Sequence, residues 1–365
     1  MITNHTGLNK QLTPTFNLFL QNQKGLNLVA VFAPEHGFFG HLAADKEVFE
    51  EKIQGIPIYS LYGKTRRPTK EMLKNIDVLI YDIQDIGVRS YTFASTLYYI
   101  MEEASKESIP VIVLDRPNPL GGNLVDGPML DERFRSFIGY IDVPYCHGMT
   151  IGELALYFNS EYHINCSLQV ISMKGWKRSM HFTDTNLPWV PTSPYIPEPD
   201  TPFFYATTGL IGELGLVNIG IGYSLPFKVL GAPWIKEEEF ARKLNDQHFP
   251  GVRFVPFQFI SPLGMYKGEL CKGVLIVILD KKEVMPVKLQ HGILGILKSL
   301  YPQVVNKKLS SLSKAKKELF YKSEGTDAIF AILSQEKYPA WKMIEYNEDK
   351  RQLFLHKRKK YLLYN

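Results

Sequence analysis

The chain has 365 residues, of which 45% are hydrophobic and 22% charged, and its net charge is +5 at pH 7. These values exclude a disordered, collagen-like or coiled-coil chain, and the length favours two domains. Three widely spaced cysteines with no CxxC pair argue against a disulfide framework or a thiolate zinc site. The small net charge is weak support for nucleic-acid binding, so we expect no nucleic-acid partner.

The first half of the chain alternates buried strands with helices. Near-continuous apolar runs predict strands, because both faces of a parallel sheet are covered; these runs are 28–34, 56–62, 77–83, 110–115 and 167–173. Apolar residues at helical spacing predict helices at 69–75, 91–108 and 150–162. The alternation predicts an α/β fold with a Rossmann-like, doubly wound, mostly parallel sheet.

The composition changes near residue 187. Six prolines between 187 and 203 predict an ordered loop rather than a helix or a central strand, and a glycine-rich stretch follows at 209–231. A second α/β unit comes next, with predicted strands and helices at 235–247, 252–259, 273–280, 284–300, 326–334 and 341–357. We therefore expect a Rossmann-like N-terminal domain at 1–205 and a smaller α/β C-terminal domain at 206–365, joined by a crossover at about 187–231.

Three clusters of polar residues follow predicted strands of the first unit. They are Glu35 and His36; then Asp82, Asp85, Arg89 and Tyr91; and then Asp115, Arg116 and Asn118. Ligands of open α/β sheets bind beyond the carboxyl ends of the strands, so parallel neighbouring strands would bring these clusters to one edge. Singly, each residue has a structural alternative as a helix cap, an ion pair or part of a tight turn. Together they predict an active site.

Several site types are absent from the sequence. No GxGxxG follows a strand, and there is no P-loop, HExxH or GxSxG motif. We therefore expect no cofactor and no metal site. What is left is a set of carboxylates, a histidine, arginines and aromatic residues, and two carboxylates in a sugar-sized cleft are the minimum for glycoside hydrolysis.

At these clusters the chain resembles the bacterial DUF1343 family, the exo-β-N-acetylmuramidases of glycoside hydrolase family 171. PEHG, DIQDIGVR and DRPNPLGG are long and distinctive. The resemblance runs through nearly the whole chain, in the segments 2–7 (ITNHTG), 32–40 (FAPEHGFFG), 58–69 (IYSLYGKTRRPT), 81–93 (YDIQDIGVRSYTF), 114–122 (LDRPNPLGG), 147–155 (HGMTIGELA), 173–178 (MKGWKR), 197–201 (PEPDT), 230–234 (LGAPW) and 361–364 (YLLY).

The resemblance implies an enzyme that releases N-acetylmuramic acid from the non-reducing ends of peptidoglycan fragments, through a cleft between the two domains. Glu35 and Glu213 are the candidates for the acid and for the base or nucleophile. In an alternative route, the substrate's own acetamido group is the nucleophile and Asp82 or Asp85 orients it. Arg89 or Arg116 would bind the lactyl carboxylate. The substrate-binding residues that we predict are His36, Asp85, Arg89, Tyr91, Asp115, Arg116, Asn118 and His147, and the catalytic ones are Glu35, Glu213 and Asp82.

Two departures from the family pattern bear on these expectations. Family members often carry FEGTN…SxGRGT in the crossover; here Glu213 falls at the glutamate, but Ile221 replaces the arginine. Members also usually start well before ITNHTG, so the chain looks truncated at its start. Met1 leads into ITNHTG without the charged and apolar regions of a signal peptide, and from the resemblance we expect the protein in the periplasm or outside the cell.

Two alternative functions stay open at this point. One is a muropeptide-binding or glycan-binding protein that has lost catalysis, which the Ile221 departure favours. The other is a metal-dependent hydrolase that uses His36, Asp82 and Asp85.

Overall fold

The structure is a computed structural model, and it describes residues 1–22, 25–43, 46 and 51–365. The strands of these residues are β1 (Ile2–Thr3), β2 (Val31–Ala33), β3 (Glu51–Ile53), β4 (Ile56–Ser60), β5 (Leu79–Asp82), β6 (Val111–Leu114), β7 (Asp126–Met129), β8 (Pro144–Cys146), β9 (Leu168–Ile171), β10 (Val229–Ala232), β11 (Val252–Ile260) and β12 (Leu270–Ile278). The α-helices are α1 (Thr15–Gln21), α2 (Lys70–Leu73), α3 (Thr92–Lys106), α4 (Ile151–Glu161), α5 (Thr201–Glu213), α6 (Glu237–Asn245), α7 (Pro286–Leu300), α8 (Pro302–Ser311), α9 (Lys314–Glu324), α10 (Ala328–Gln335), α11 (Ala340–Glu345) and α12 (Glu348–Lys357).

Seven of the described strands form one sheet in the order β3-β4-β2-β1-β5-β6-β9. All its pairings are parallel except β3 with β4, which confirms the predicted Rossmann-like α/β fold. The short strand β1 lies at the centre, where Ile2 pairs with Phe32 on one side and Tyr81 on the other, and all three are fully buried. The chain extends the sheet to one side of β1 and then to the other, so the strand order reverses beside β1.

The second half of the chain builds a smaller antiparallel sheet, in the order β10-β12-β11. Helix α6 packs against β11 and β12, and α7 packs against α5, α6 and α11. One hydrophobic cluster runs without a break from the seven-stranded sheet into α7 and β12. Because the two sheets share this core, α5 and α7 hold fixed positions relative to the strand ends of the first sheet. The domain division at 205 stays a prediction.

Three parts of the second half differ from the sequence-based expectation. Helix α5 already begins at Thr201, inside the proline-rich stretch, because Pro202 occupies the first helical turn, where a missing N–H is tolerated. The predicted helix at 341–357 is two helices, since Asn347 takes a left-handed φ of 62° between them. Helices α8 and α9 were not predicted, although Ser313 caps α9 by accepting from the Lys316 N–H at 3.3 Å.

The three cysteines are free thiols, and each is buried in or beside a different sheet. Cys146 ends β8, Cys166 precedes β9 and Cys271 lies in β12. Burial raises the pKa of Cys166 and of Cys271 to about 11, and that of Cys146 well above its usual value. No helix of the described residues has the length and apolarity to cross a membrane.

Candidate active site

Two cavities open at the carboxyl edge of the seven-stranded sheet, and the predicted residues are divided between them. The first, the Glu35 cleft, has a volume of about 420 Å³ and is lined by Glu35, His36, Tyr91 and Glu213 among others. The second, the Asp82 cavity, has a volume of about 640 Å³ and is lined by Asp82, Asp115 and Arg116 among others. The proline-rich loop (186–200) borders both, because 186–190 line the Asp82 cavity while Ser193, Tyr195 and Ile196 line the Glu35 cleft.

Glu35 is placed by the turn that follows β2. Its side chain is 7% exposed, and its Oε2 accepts a hydrogen bond of 2.6 Å from Thr92 Oγ1. Thr92 is the first residue of α3, so the carboxylate lies beside the amino end of that helix, where negative charge is stabilised. The result is a carboxyl group that lines the cleft but is largely withdrawn from bulk water.

His36 follows in the same turn, in a left-handed backbone conformation with a φ of 70°. Its Nδ1 lies 2.7 Å from the Leu42 carbonyl oxygen. A carbonyl can only accept, so Nδ1 carries the hydrogen in this bond, and in the neutral ring Nε2 is then an acceptor. His36 therefore brings one fixed nitrogen and one proton-accepting nitrogen to the cleft wall.

Helix α5 brings Tyr205 and Glu213 to the opposite part of the lining. Gly209 and Gly212 lie between them on the same helix face and also line the cleft, and the Ile219 side chain packs closely against Gly212. Burial, together with the charges of Glu213 and Glu35, raises the pKa of Tyr205 to about 12. Both carboxylates therefore act on the same phenol, which places them around one small volume.

Tyr91 connects the start of α3 to the proline-rich loop. Its hydroxyl donates to Thr192 Oγ1 at 2.8 Å, and its ring meets the edge of the Tyr205 ring with centroids 6.2 Å apart. The same loop is held from the other side by His5, whose Nε2 lies 2.6 Å from the Pro191 carbonyl. Tyr91 thus lines the cleft and also holds the proline-rich loop that borders it.

Asp82 does not reach the Glu35 cleft. Its Oδ1 accepts from Arg116 Nε and Nη2, each at 2.6 Å, and Arg116 Nη2 also donates to the Leu8 carbonyl at 2.9 Å. The sequence-based role of Asp82 as an orienting group beside Glu35 is not supported by this placement, because the ion pair faces the second cavity. Arg116 is held in the same place.

Asp115 also lines the second cavity, but its oxygens are occupied. Oδ1 accepts from the Arg116 and Gly152 N–H groups at 3.0 and 2.8 Å, and Oδ2 accepts from the Thr150 and Tyr364 hydroxyls at 2.7 and 2.5 Å. Burial raises the pKa of Asp115 to about 6, against the effect of these donors. The carboxyl group joins β6 to the start of α4, which is a structural task.

Arg89 lines neither cavity. Its guanidinium donates to the backbone carbonyls of Pro128, Val143, Ser323 and Glu324, at 2.7, 2.7, 3.3 and 2.6 Å. The predicted role as an anchor for the lactyl carboxylate does not fit, since these donors are already engaged and the side chain is buried. Arg89 instead fastens the first unit to the carboxyl end of α9.

Asp85 and Asn118 are likewise withdrawn from both cavities. Asp85 Oδ2 accepts from the Gly87 N–H at 2.8 Å, and burial raises the pKa of this carboxyl to about 7. Asn118 accepts from the Leu120 N–H at 2.9 Å and donates to the Met149 carbonyl at 3.0 Å. Asn118 shapes a tight turn, as its structural alternative predicted, whereas Asp85 shapes the loop after β5 and Arg89 bonds backbone carbonyls instead of pairing with it.

His147 is buried as well, and its pKa leads to a stability prediction. Burial lowers its pKa to about 3, and the charges of Arg358 and Arg89 contribute. Because this folded-state pKa lies below the usual 6.5, the stability that neutral His147 contributes is present above pH 6.5 and is lost as the pH falls, by ~1.4 kcal/mol per pH unit. We expect His147→Asn, whose amide oxygen can accept from the Met149 N–H as Nδ1 does, to remove this slope.

Urea unfolding of the wild type and His147→Asn at pH 7 and pH 5 measures this effect. The difference in the free energy of unfolding should change by about 2 kcal/mol in favour of the variant between the two pH values. An equal difference at both values would show that His147 titrates normally in the folded protein.

The structure adds residues to the cleft that the sequence reasoning did not select for it. Thr92 binds Glu35, Ser90 donates to the Tyr145 hydroxyl at 2.9 Å, and Ser193 lines the wall. Thr92 and Ser90 belong to the motif that contains Tyr91. The run of hydroxyl-bearing residues at the predicted amino end of a helix could therefore have identified them as cleft residues. Among the described lining residues there is no lysine or arginine, and Ile221 lies at this wall.

A metal centre of His36, Asp82 and Asp85 is not assembled. His36 lines the cleft, Asp82 faces the other cavity and Asp85 lines neither. Over the described ranges, no group of three or more His, Cys, Asp or Glu side chains is arranged to hold a metal ion.

Comparison with known proteins matches the whole length of the chain. The family model described as exo-β-N-acetylmuramidase NamZ, N-terminal, matches residues 1–200, and its C-terminal counterpart matches 203–364. The peptidoglycan β-N-acetylmuramidase NamZ of Bacillus subtilis (strain 168) is 44% identical over 305 residues, 83% of this chain and 73% of that protein. Two crystal structures of DUF1343 family proteins from Bacteroides fragilis NCTC 9343 cover 100% of this chain and 93% of theirs, with TM-scores of 0.91 and 0.72 at 38% and 27% identity.

Proposed function

The chain belongs to the NamZ family of exo-β-N-acetylmuramidases, and from this membership we propose that the Glu35 cleft is its active site. The protein is a glycoside hydrolase, an exo-acting peptidoglycan β-N-acetylmuramidase. The observation that carries the assignment of the cleft is that Glu35 and Glu213 line one cavity of about 420 Å³ and both act on Tyr205. A cavity of this size is in the range that small ligands occupy.

In the proposed reaction, Glu35 is the general acid. Its Oε2 is held by Thr92, so the carboxyl group has a fixed orientation in the wall of the cleft, as a positioned general acid requires. Its proton passes to the glycosidic oxygen as the bond from that oxygen to the anomeric carbon breaks. The leaving sugar departs as an alcohol.

Glu213 is the second carboxylate of this proposal. It lies at the solvent-exposed end of α5, where a water molecule can reach it. The oxygen of that water bonds to the anomeric carbon, and Glu213 takes up the proton that the water loses, which balances the proton given by Glu35. The products are N-acetylmuramic acid and the shortened fragment.

The walls of the cleft suit one face of a sugar. Tyr195, Tyr205, Phe227 and Ile221 supply apolar surface, and Ser90, Ser193 and His36 supply hydrogen-bonding groups. Because the described lining has no lysine or arginine, we propose that hydroxyl groups of the lining, with Ser193 as the first candidate, donate to the lactyl carboxylate. Peptidoglycan-derived saccharides that end in N-acetylmuramic acid are the substrates of this proposal.

Release of a chromophore from an aryl β-N-acetylmuramide tests the proposal, with the matching β-N-acetylglucosaminide as control. The two substrates differ only in the lactyl group, so we expect the muramide to be cleaved and the glucosaminide to be left intact. Equal cleavage of both would show that the cleft does not recognise the lactyl group. Cleavage of neither by folded protein would overturn the assignment of the reaction and support the alternative of a binding protein without catalysis.

A further inference from the structure

The Asp82 cavity has no part in the reaction proposed above. It lies beyond the carboxyl ends of β1, β5, β6 and β9, on the far side of the proline-rich loop from the Glu35 cleft. Strand order reverses beside β1, and the crevice at such a reversal is where open α/β sheets hold ligands. The position alone is a reason to ask what chemistry its lining offers.

Two of its side chains form a rigid polar pair. Arg116 is fixed by Asp82 Oδ1 and by the Leu8 carbonyl through Nε and Nη2, while its Nη1 donates to no described residue. Asp82 is 1% exposed, and its Oδ2 has no hydrogen-bond partner among the described residues. A buried acceptor without a donor is costly, so this oxygen points to a ligand that supplies a hydroxyl or N–H group.

Two tryptophans make the apolar part of the lining. Trp189 is half-buried and held in place by its indole N–H, which donates to the Ile196 carbonyl at 3.2 Å. Trp176 is 7% exposed, and its indole N–H is buried without an acceptor among the described residues. The ring faces suit the apolar face of a sugar, and the unpaired indole N–H suits an oxygen of the same molecule.

The charges at the cavity favour an anion. Lys10 and Lys174 line it, are exposed and form no ion pair within the described part of the chain. Asp82 is neutralised by Arg116, and Asp115 is enclosed by its four donors. Asp184 is the remaining carboxylate of the lining, and it is engaged with the backbone N–H of His181 at 2.9 Å. Lys10 and Lys174 are therefore the positively charged side chains of the lining that have no ion-pair partner among the described residues.

We propose that the Asp82 cavity is a second binding site, for a sugar that carries a carboxylate. The sugar hydroxyls donate to Asp82 Oδ2, the carboxylate meets Arg116 Nη1 and the two lysines, and the ring lies against Trp189. This inference rests on the proposed function for the source of its ligand, since N-acetylmuramic acid, the product of that reaction, is a sugar of this kind.

Titration calorimetry of the full chain with N-acetylmuramic acid and with N-acetylglucosamine tests the proposal. We expect two N-acetylmuramic acid molecules per chain, and at least tenfold weaker binding of N-acetylglucosamine at the second site. The variant Lys10→Glu/Lys174→Glu should weaken one of the two binding events at least tenfold, because both lysines are exposed and can be reversed in charge without unfolding. Lys307→Glu/Lys350→Glu, the same charge change at exposed lysines elsewhere, should alter neither event.

Arg116→Gln provides the second variant, with a melting curve to verify that it folds. A single binding event that neither Lys10→Glu/Lys174→Glu nor folded Arg116→Gln changes would overturn the second site. Equal second-site affinity for the two sugars would overturn the recognition of the carboxylate. Chromophore release in the same preparations separates the two proposals: cleavage with one binding event refutes only the second site, and two events without cleavage refute only the reaction.

Discussion

Replacing Glu35 by glutamine is expected to lower the turnover of a muramic-acid-terminated saccharide by about 10³-fold, within the range that general acid catalysis contributes. Glutamine cannot protonate the leaving oxygen. Its amide oxygen can still accept from Thr92 Oγ1, so the turn after β2 should keep its shape and the melting temperature should stay close to that of the wild type. The measurement is kcat for variant and wild type on the same substrate.

Comparing substrates with different leaving groups tests whether Glu35 is the general acid. An activated aryl leaving group needs little protonation, so Glu35→Gln should lose only about tenfold on a nitrophenyl muramide while losing ~10³-fold on the saccharide. Equal losses on both substrates would assign Glu35 a role other than the acid. Glu213→Gln should instead show similar losses on both, and Glu345→Gln, at an exposed carboxylate far along the chain on α11, should behave as the wild type.

Replacing Arg89 by methionine should destabilise the protein by about 4 kcal/mol, since one buried cation loses its bonds and four buried carbonyls lose their donor. Burial lowers the pKa of Arg89 to about 10 while the charge of Glu324 opposes this, so the guanidinium is charged at neutral pH. Two of the four carbonyls, those of Ser323 and Glu324, belong to the end of α9. The loss should therefore detach α9, whose Leu319 and Ser323 line the Glu35 cleft.

Urea unfolding of Arg89→Met and Arg89→Lys measures how much the hydrogen bonds of Arg89 contribute to the free energy of unfolding. Lysine keeps the charge but has no fork to reach carbonyls on both sides, so it should recover less than half of the lost stability. A loss below about 1 kcal/mol in Arg89→Met would mean that water replaces the guanidinium at these carbonyls.

Five strands of the first sheet, β2, β4, β5, β6 and β9, could be predicted because each coincides with a continuous apolar run, and the family resemblance was confirmed. The division of the strand-end residues between two cavities could not be predicted from the sequence. Glu35 and Asp82 follow neighbouring parts of one sheet edge, yet the loop between the cavities comes from residues 186–200, more than 100 positions later. The position of a residue in the sequence does not show which of the two cavities it lines, because that depends on how the later loop packs against the sheet.

Arg89 shows the second limit of the sequence. An arginine after a strand in a polar motif is equally consistent with an anion site and with a clamp on carbonyls, because the guanidinium serves both. Its partners Pro128, Val143 and Glu324 contribute backbone oxygens, which every residue carries. The contact with Arg89 could therefore not be predicted from the side chains of these residues. Pairing of Glu35 with Thr92 was open to prediction, since both residues lie in the recognised motifs.

The three native cysteines can be used to measure local unfolding in three parts of the protein. Cys146, Cys166 and Cys271 each lie in or beside a different sheet, and their raised pKa values keep the folded thiols almost entirely protonated at neutral pH. An alkylating reagent can therefore modify each one only when its own sheet opens. Mass spectrometry of the three peptides over time would give three separate opening rates from one unmodified sample, without any engineered label.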